Sequence, residues 1–177
     1  MESITEDANT GVRLTSSDAN LYGDIGNNAL DLSYSNNDTS FGATGDSSVA
    51  LGENTTASGE NSTAMGYRSI ASGDYSVAIG YGSLEEGNFS TGTPYYRNEA
   101  IGIRSHVIGN RNKSTGSKSF SLGNDNLSQG TGAFSIGENN ISTGDYSMAL
   151  GYLVRVLLMV VFLLEIMHTL MAITLLL

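Results

Sequence analysis

The chain is organised by the heptad Asp74-Tyr75-Ser76-Val77-Ala78-Ile79-Gly80, and this pattern decides its fold. Close variants stand at residues 60–66 and 145–151, each ending in a large apolar residue followed by glycine. The glycines recur at every seventh position in two series that one extra residue separates: Gly45, Gly52, Gly59, Gly66, Gly73, Gly80 and Gly87, then Gly102, Gly109, Gly116, Gly123, Gly130, Gly137, Gly144 and Gly151. A fixed short period that places glycine between β-forming residues predicts a β-solenoid with one half-turn per heptad.

Two kinds of heptad alternate, so that one full coil is a unit of two heptads. The first kind, as in residues 74–80, alternates large apolar residues with Ser or Ala, and alternate side chains of a strand point to opposite faces. We expect the large face to be the inside of the coil and the small face, which includes Ala64 and Ala78, to contact a second copy. The predicted core is Val49, Leu51, Met65, Val77, Ile79, Phe120, Leu122, Phe134, Ile136 and Leu150.

The second kind of heptad is more polar, as in residues 53–59, 67–73 and 138–144. It is expected to form the opposite wall and the corners, where Gly and Asn tolerate positive φ. A coil this narrow buries few side chains and cannot by itself offset the entropy of ordering its two heptads. Stacking of coils is therefore obligatory in the predicted fold.

Composition limits the function classes. The chain has 177 residues, 22 Gly, 1 Pro, no Cys and a formal charge of −10, which excludes a disulfide scaffold. Nucleic acid requires clustered Lys and Arg, whereas the eight Lys and Arg residues here are spread over the whole chain, which argues against nucleic acid as a partner. The net negative charge favours basic or neutral ligands. The residues after Met1 show neither the basic nor the apolar region of a signal peptide.

We find no residue pattern typical of catalysis, metal binding or a cofactor. Asp46, Asp74 and Asp145 recur at corners and are interpreted as turn formers, whereas an enzymatic solenoid would gather its acids on one wall. His106 has no second imidazole or thiol nearby in the sequence. An ice-binding solenoid needs Thr at one position of successive coils, and that array is missing.

The heptads resemble the head repeats of trimeric autotransporter adhesins, the YadA-like family, whose signature is Asn-Ser-Val-Ala-Ile-Gly. Residues 75–80 depart from it only where Tyr75 replaces Asn, and the resemblance extends over residues 42–151. It implies an all-β, left-handed parallel β-roll with three chains side by side, on a bacterial outer membrane or secreted. It also implies a non-enzymatic adhesin head that binds a host matrix protein, a cell surface or a polysaccharide. The alternative is a structural spacer in a secreted or viral fibre.

Three segments interrupt or flank the repeat. Residues 1–41 lack the heptad glycines and are expected to cap the first coil or to form a disordered lead-in. Residues 152–177 are strongly apolar and represent a frameshift product, a transmembrane helix or a buried helix; only a genuine transmembrane helix would bring membrane contact. Residues 88–100 contain Tyr95, Tyr96 and Arg97, which form either a ligand contact on a projecting loop or a cluster that packs back over the coil.

Overall fold

A computed structural model of the chain describes residues 1–14, 22–35, 41–82 and 97–157. Within these ranges every helix or strand is a β-strand, and the strands form two sheets. The long sheet contains, in spatial order, β1 (Glu2–Glu6), β2 (Asn9–Arg13), β3 (Leu30–Tyr34), β5 (Val49–Glu53), β7 (Thr63–Tyr67), β9 (Val77–Tyr81), β11 (His106–Asn110), β13 (Phe120–Asn124), β15 (Phe134–Glu138) and β17 (Met148–Tyr152). The short sheet contains β4 (Gly42–Ala43), β6 (Thr56–Ala57), β8 (Ser69–Ala71), β10 (Asn98–Ala100), β12 (Lys113–Ser114), β14 (Leu127–Ser128), β16 (Ile141–Ser142) and β18 (Arg155–Val156).

The chain passes from one sheet to the other and back in each coil. In the described part of the chain, all strand pairs are parallel except the antiparallel pair β1–β2. Along the long sheet Thr63 pairs with Val49 on one side and with Val77 on the other, an offset of two heptads in each direction. The predicted parallel β-solenoid with two heptads per coil is therefore confirmed.

The prediction of which face lies inside is wrong. Ala50, Ala64 and Ala78 of the small face are 0% exposed, whereas Phe134 is 38% and Leu150 is 53% exposed. The other residues of the expected core are Val49, Leu51, Met65, Val77, Ile79, Phe120, Leu122 and Ile136, and each of them also lies half-buried or exposed on the outer face of the long sheet.

The separation of the two sheets explains this inversion. The hydroxyl of Ser121 in the long sheet lies 3.0 Å from those of Ser114 and Ser128 in the short sheet. Two serine side chains thus span the whole interior, and Leu or Phe would not fit between the sheets. Because Ala64 and Ala78 are enclosed there, they cannot form the predicted contact with a second copy.

Glycine is required where successive coils touch through their backbones. Gly66 has φ +110°, and a Cβ at this position would overlap the carbonyl oxygen of Gly80 in the next coil. Both the left-handed backbone and the close approach exclude larger residues there. The heptad period is thus set by stacking.

The sequence places the interruption at residues 88–100, but Asn98–Ala100 belong to the roll as β10. Val77 pairs directly with His106, so the coil between them holds just over four heptads in place of two. Gly73 lies against Gly102, and Gly87 falls in the range 83–96, outside the described residues. The stack continues across the insertion with its register intact.

A column of buried asparagines supports the later coils. Asn126 is 1% exposed, and its Nδ2 donates to the carbonyl oxygens of Leu122 (3.0 Å) and Gly137 (2.8 Å). Its Oδ1 accepts the backbone N–H of Asn140 in the next coil (3.1 Å). We call Asn98, Asn112, Asn126 and Asn140 the asparagine ladder; it joins each coil to the next at one corner.

The first strands are joined to the roll by a buried ionic cluster. Arg13, 3% exposed, pairs with Asp31 (3.2 Å) and Glu6 (2.9 Å), and its guanidinium lies 4.8 Å from the ring centroid of Tyr22. Glu6 and Arg13 belong to the β1–β2 pair, while Asp31 belongs to β3. This cluster ties the antiparallel pair to the first parallel strand.

Among the described residues no helix is long and apolar enough to cross a membrane, and residues 158–177 of the apolar tail lie outside them.

Candidate interaction surfaces

The outer face of the long sheet carries two columns of mainly apolar side chains, which we call the apolar columns. One consists of Val49, Thr63, Val77, His106, Phe120, Phe134 and Met148, and the other of Leu51, Met65, Ile79, Ile108, Leu122, Ile136 and Leu150. From β5 to β17 they extend over about 29 Å at the usual spacing of strands. A contiguous apolar surface of this kind marks a contact site.

Packing within the apolar columns is local. The rings of Phe120 and Phe134 lie 6.0 Å apart, while Phe134, Met148 and Leu150 at the last coils are between 38% and 55% exposed. Thr63 and His106 are the polar members of one column. A single chain therefore leaves much of this surface open to solvent.

The corner aspartates have a structural role. The carboxylates of Asp46, Asp74 and Asp145 accept backbone N–H groups of the preceding coil at 2.8 to 3.0 Å. Within the described ranges no three His, Cys, Asp or Glu side chains are grouped so that they could hold a metal ion. These acids stabilise the corners.

Of the three residues predicted to form a ligand contact on the loop, the structure describes only Arg97. Tyr95 and Tyr96 lie outside the described residues, and Arg97 is half-buried just before β10. A ligand contact through these three residues stays a prediction.

Sequence reasoning missed a column of residues at the corner that precedes each long strand, which we call the first corner. It holds Ser47, Asn61, Tyr75, Arg104, Lys118, Gly132 and Tyr146, all with positive φ. The guanidinium carbon of Arg104 lies 5.6 Å from the ring centroid of Tyr75. The signal was present in the sequence, because each of these residues stands two positions after a heptad glycine.

The corner that follows each long strand carries a second aromatic group. Tyr67 and Tyr81 are stacked with ring centroids 5.0 Å apart, and Arg68 lies 5.8 Å from the ring of Tyr67. Tyr81 is 51% exposed. The roll therefore presents aromatic side chains with an adjacent arginine at both corners.

These repeats match a known family. The family described as YadA head domain repeat (2 copies) matches residues 43–69, 57–83 and 128–153. Residues 43–83 and 128–153 of the roll are therefore YadA head repeats. No curated protein matches the chain significantly.

The YadA head repeats indicate an adhesin-like surface protein. The matched segments lie on both sides of residues 84–127, which the family model does not match. The unmatched part contains the insertion, His106 and the cations of the first corner.

Proposed function

We propose that this protein is the head of a non-enzymatic, homotrimeric adhesin displayed outside a bacterial cell, where it attaches the cell to a host matrix protein, another cell surface or a polysaccharide. The observation that carries the proposal is the pair of apolar columns on a roll of YadA head repeats. The columns supply a surface for assembly, and the corners remain free for ligands.

Assembly through the apolar columns follows from their exposure. Ile108, Leu122, Phe134, Met148 and Leu150 are between 36% and 55% exposed in one chain. Burying such side chains against the same face of neighbouring copies removes apolar surface from water, at about 25 cal/mol per Å². A partner that binds only the folded coil also stabilises that fold by mass action.

Adhesion by a trimer does not require a deep pocket. Each chain repeats the same corner geometry from coil to coil, and three chains multiply these sites again. Linked weak sites gain affinity from their effective concentration. The grouping of side chains favours binding over catalysis, because the corner carboxylates are engaged by backbone N–H groups.

The assembly is tested by two matched isoleucine variants of the full chain. Ile136 lies in the apolar columns, and Ile141 lies half-buried on the outer face of the short sheet. We expect sedimentation to show a trimer for the wild type and for Ile141→Lys, and a folded monomer for Ile136→Lys. A wild-type protein that is monomeric at micromolar concentration would contradict the trimer.

Adhesion is tested with beads coated with the full chain. We expect them to bind at least one of collagen, fibronectin and immobilised polysaccharide, with weaker binding for beads that carry the monomeric Ile136→Lys variant. No binding by an intact trimer would leave the role of a fibre spacer. Hydrolysis of the polysaccharide would overturn the non-enzymatic assignment.

A further inference from the structure

The middle coils reverse the charge of the molecule. Residues 98–124 contain one acid, Glu99, and four of the eight Lys and Arg residues of the chain: Arg104, Arg111, Lys113 and Lys118. Residues 41–82 contain four acids and one base, and residues 125–157 contain three acids and one base. A cationic band therefore lies between two acidic parts of the roll.

The four cations of this band lie in two different environments. Arg111 forms an ion pair with Asp125, and the ammonium group of Lys113 lies 2.7 Å from a carboxylate oxygen of Glu99. Arg104 and Lys118 are exposed at the first corner, and neither forms an ion pair with any described residue. These two charges are available to a ligand.

Arg104 and Lys118 project in parallel from successive coils. Their φ angles are 56° and 57°, and their backbone N–H groups donate to Asp74 and Ile103 respectively, each at 2.8 Å. Stacked coils place equivalent residues about 4.8 Å apart. Tyr75 holds the same position in the preceding coil, with φ 58° and 47% exposure. The result is an exposed column in the order Tyr75, Arg104, Lys118.

The acids of the neighbouring column are missing at these coils. The residue before Tyr75 is Asp74, whereas Arg104 follows Ile103 and Lys118 follows Ser117. The carboxylate of Asp74 accepts the backbone N–H of Glu60 (3.0 Å) and so points towards the preceding coil, away from Arg104. In the described part of these two coils, no acid at the first corner neutralises the two cations.

We propose that Tyr75, Arg104 and Lys118 bind a polysaccharide that carries sulfate or carboxylate groups, a proposal that rests on the adhesive role proposed above. Guanidinium and ammonium groups donate charge-assisted hydrogen bonds to such anions. The exposed ring of Tyr75 offers an apolar surface on which a sugar ring can lie. Three copies in a trimer would multiply the site.

The acids above and below the column favour a polysaccharide over nucleic acid. Double-stranded DNA carries one charge per about 1.7 Å of its length, so a bound duplex would bring phosphates close to Glu60 and Asp145 at the same corner. A glycan with more widely spaced anionic groups can place them on Arg104 and Lys118 alone. We therefore expect an anionic glycan to bind this site more tightly than a DNA duplex does.

The test measures binding of the full-length protein to immobilised heparin, desulfated heparin, neutral dextran and duplex DNA. We expect heparin to bind most tightly, with an affinity that falls as salt increases. The double variant Arg104→Asn with Lys118→Asn should lower the affinity for heparin about tenfold or more. Asn is chosen because Asn61 already holds this corner position with φ 54°.

The matched control removes the same net charge elsewhere. It combines Lys113→Thr with Arg155→Thr in the short sheet, and both substitutions copy Thr56 at the equivalent position of another coil. The proposal is overturned if the control loses as much affinity as the test variant, if neither loses affinity, or if DNA binds more tightly than heparin. Trimer formation and adhesion to collagen and fibronectin are measured in parallel, so that loss of the glycan site is distinguished from failure of the adhesive role.

Discussion

The two faces of the long sheet place different constraints on side chains that are neighbours in one strand. In β7, Ala64 is 0% exposed inside the roll, while Thr63 and Met65 on either side of it lie half-buried on the outer face. At the position of Ala64, the inner face of strands β5 to β17 carries only Ala, Ser or Val, because the two sheets nearly touch. The outer face accepts residues of any size, so its apolar character does not arise from the core of the single chain and supports the proposed contact between copies.

The comparison is tested most strongly by the exchange of Ala64 for Leu. We expect Ala64→Leu to destabilise the roll by about 3 kcal/mol or more, because the added atoms would meet the backbone of the opposite sheet. Urea unfolding followed by circular dichroism measures this loss. Thr63→Leu places the same side chain one residue earlier on the outer face and should leave the free energy of unfolding nearly unchanged. Equal stability of the two variants would show that the inner face is assigned wrongly.

The polar part of the interior gives a somewhat smaller expected effect. Asn126→Ala removes the hydrogen bonds to Leu122 and Gly137 and leaves the backbone N–H of Asn140 without its acceptor. We expect a loss of about 2–4 kcal/mol in the free energy of unfolding. Asn124→Ala, two residues earlier and outside the asparagine ladder, is the matched control. Hydrogen exchange of the Asn140 amide should accelerate in Asn126→Ala only; unchanged protection there would argue against the ladder.

The smallest expected effect on stability comes from the ionisation of Asp125, at the corner that follows β13. Burial raises the pKa of Asp125 above its ordinary value of 3.8; Arg111 opposes this through a hydrogen bond and its charge, and Glu138 adds to it. The folded state therefore binds this proton more tightly than the unfolded state does. This contribution to stability is lost as the pH rises from about 3.8 through the raised pKa of the folded state.

Asp125→Asn should remove that pH-dependent loss. At neutral pH we expect a change in stability below about 1 kcal/mol, because the variant loses the ion pair with Arg111 together with the cost of burying the carboxylate. Asn also suits the φ of 55° at this position, as Asn139 does in the next coil. Thermal unfolding between about pH 3 and pH 7 measures the difference, with Asp145→Asn as the exposed control. A wild-type stability that rises with pH relative to Asp125→Asn would contradict the assignment.

The heptad pattern predicted the parallel coils and their register because Gly66 and its equivalents meet the next coil through backbone atoms. The same pattern assigned residues to two faces but not to inside or outside, since that depends on the distance between two sheets that sequence periodicity does not report. We predicted that the more hydrophobic face would form the core, but side-chain size decides which face lies inside, because the two sheets are close together. The Tyr75, Arg104 and Lys118 column was missed because these residues stand far apart in sequence and become neighbours only through stacking.

The long coil between β9 and β11 has a practical consequence for engineering and for evolution. One residue added within a strand would exchange the side chains that point inside and outside the roll. The insertion at the corner between β9 and β10, in contrast, leaves Val77 paired with His106. Natural variants of the roll should therefore change length by whole pairs of heptads within the coils and by arbitrary amounts at this corner. The same corner is the place to graft a foreign peptide for presentation on the roll.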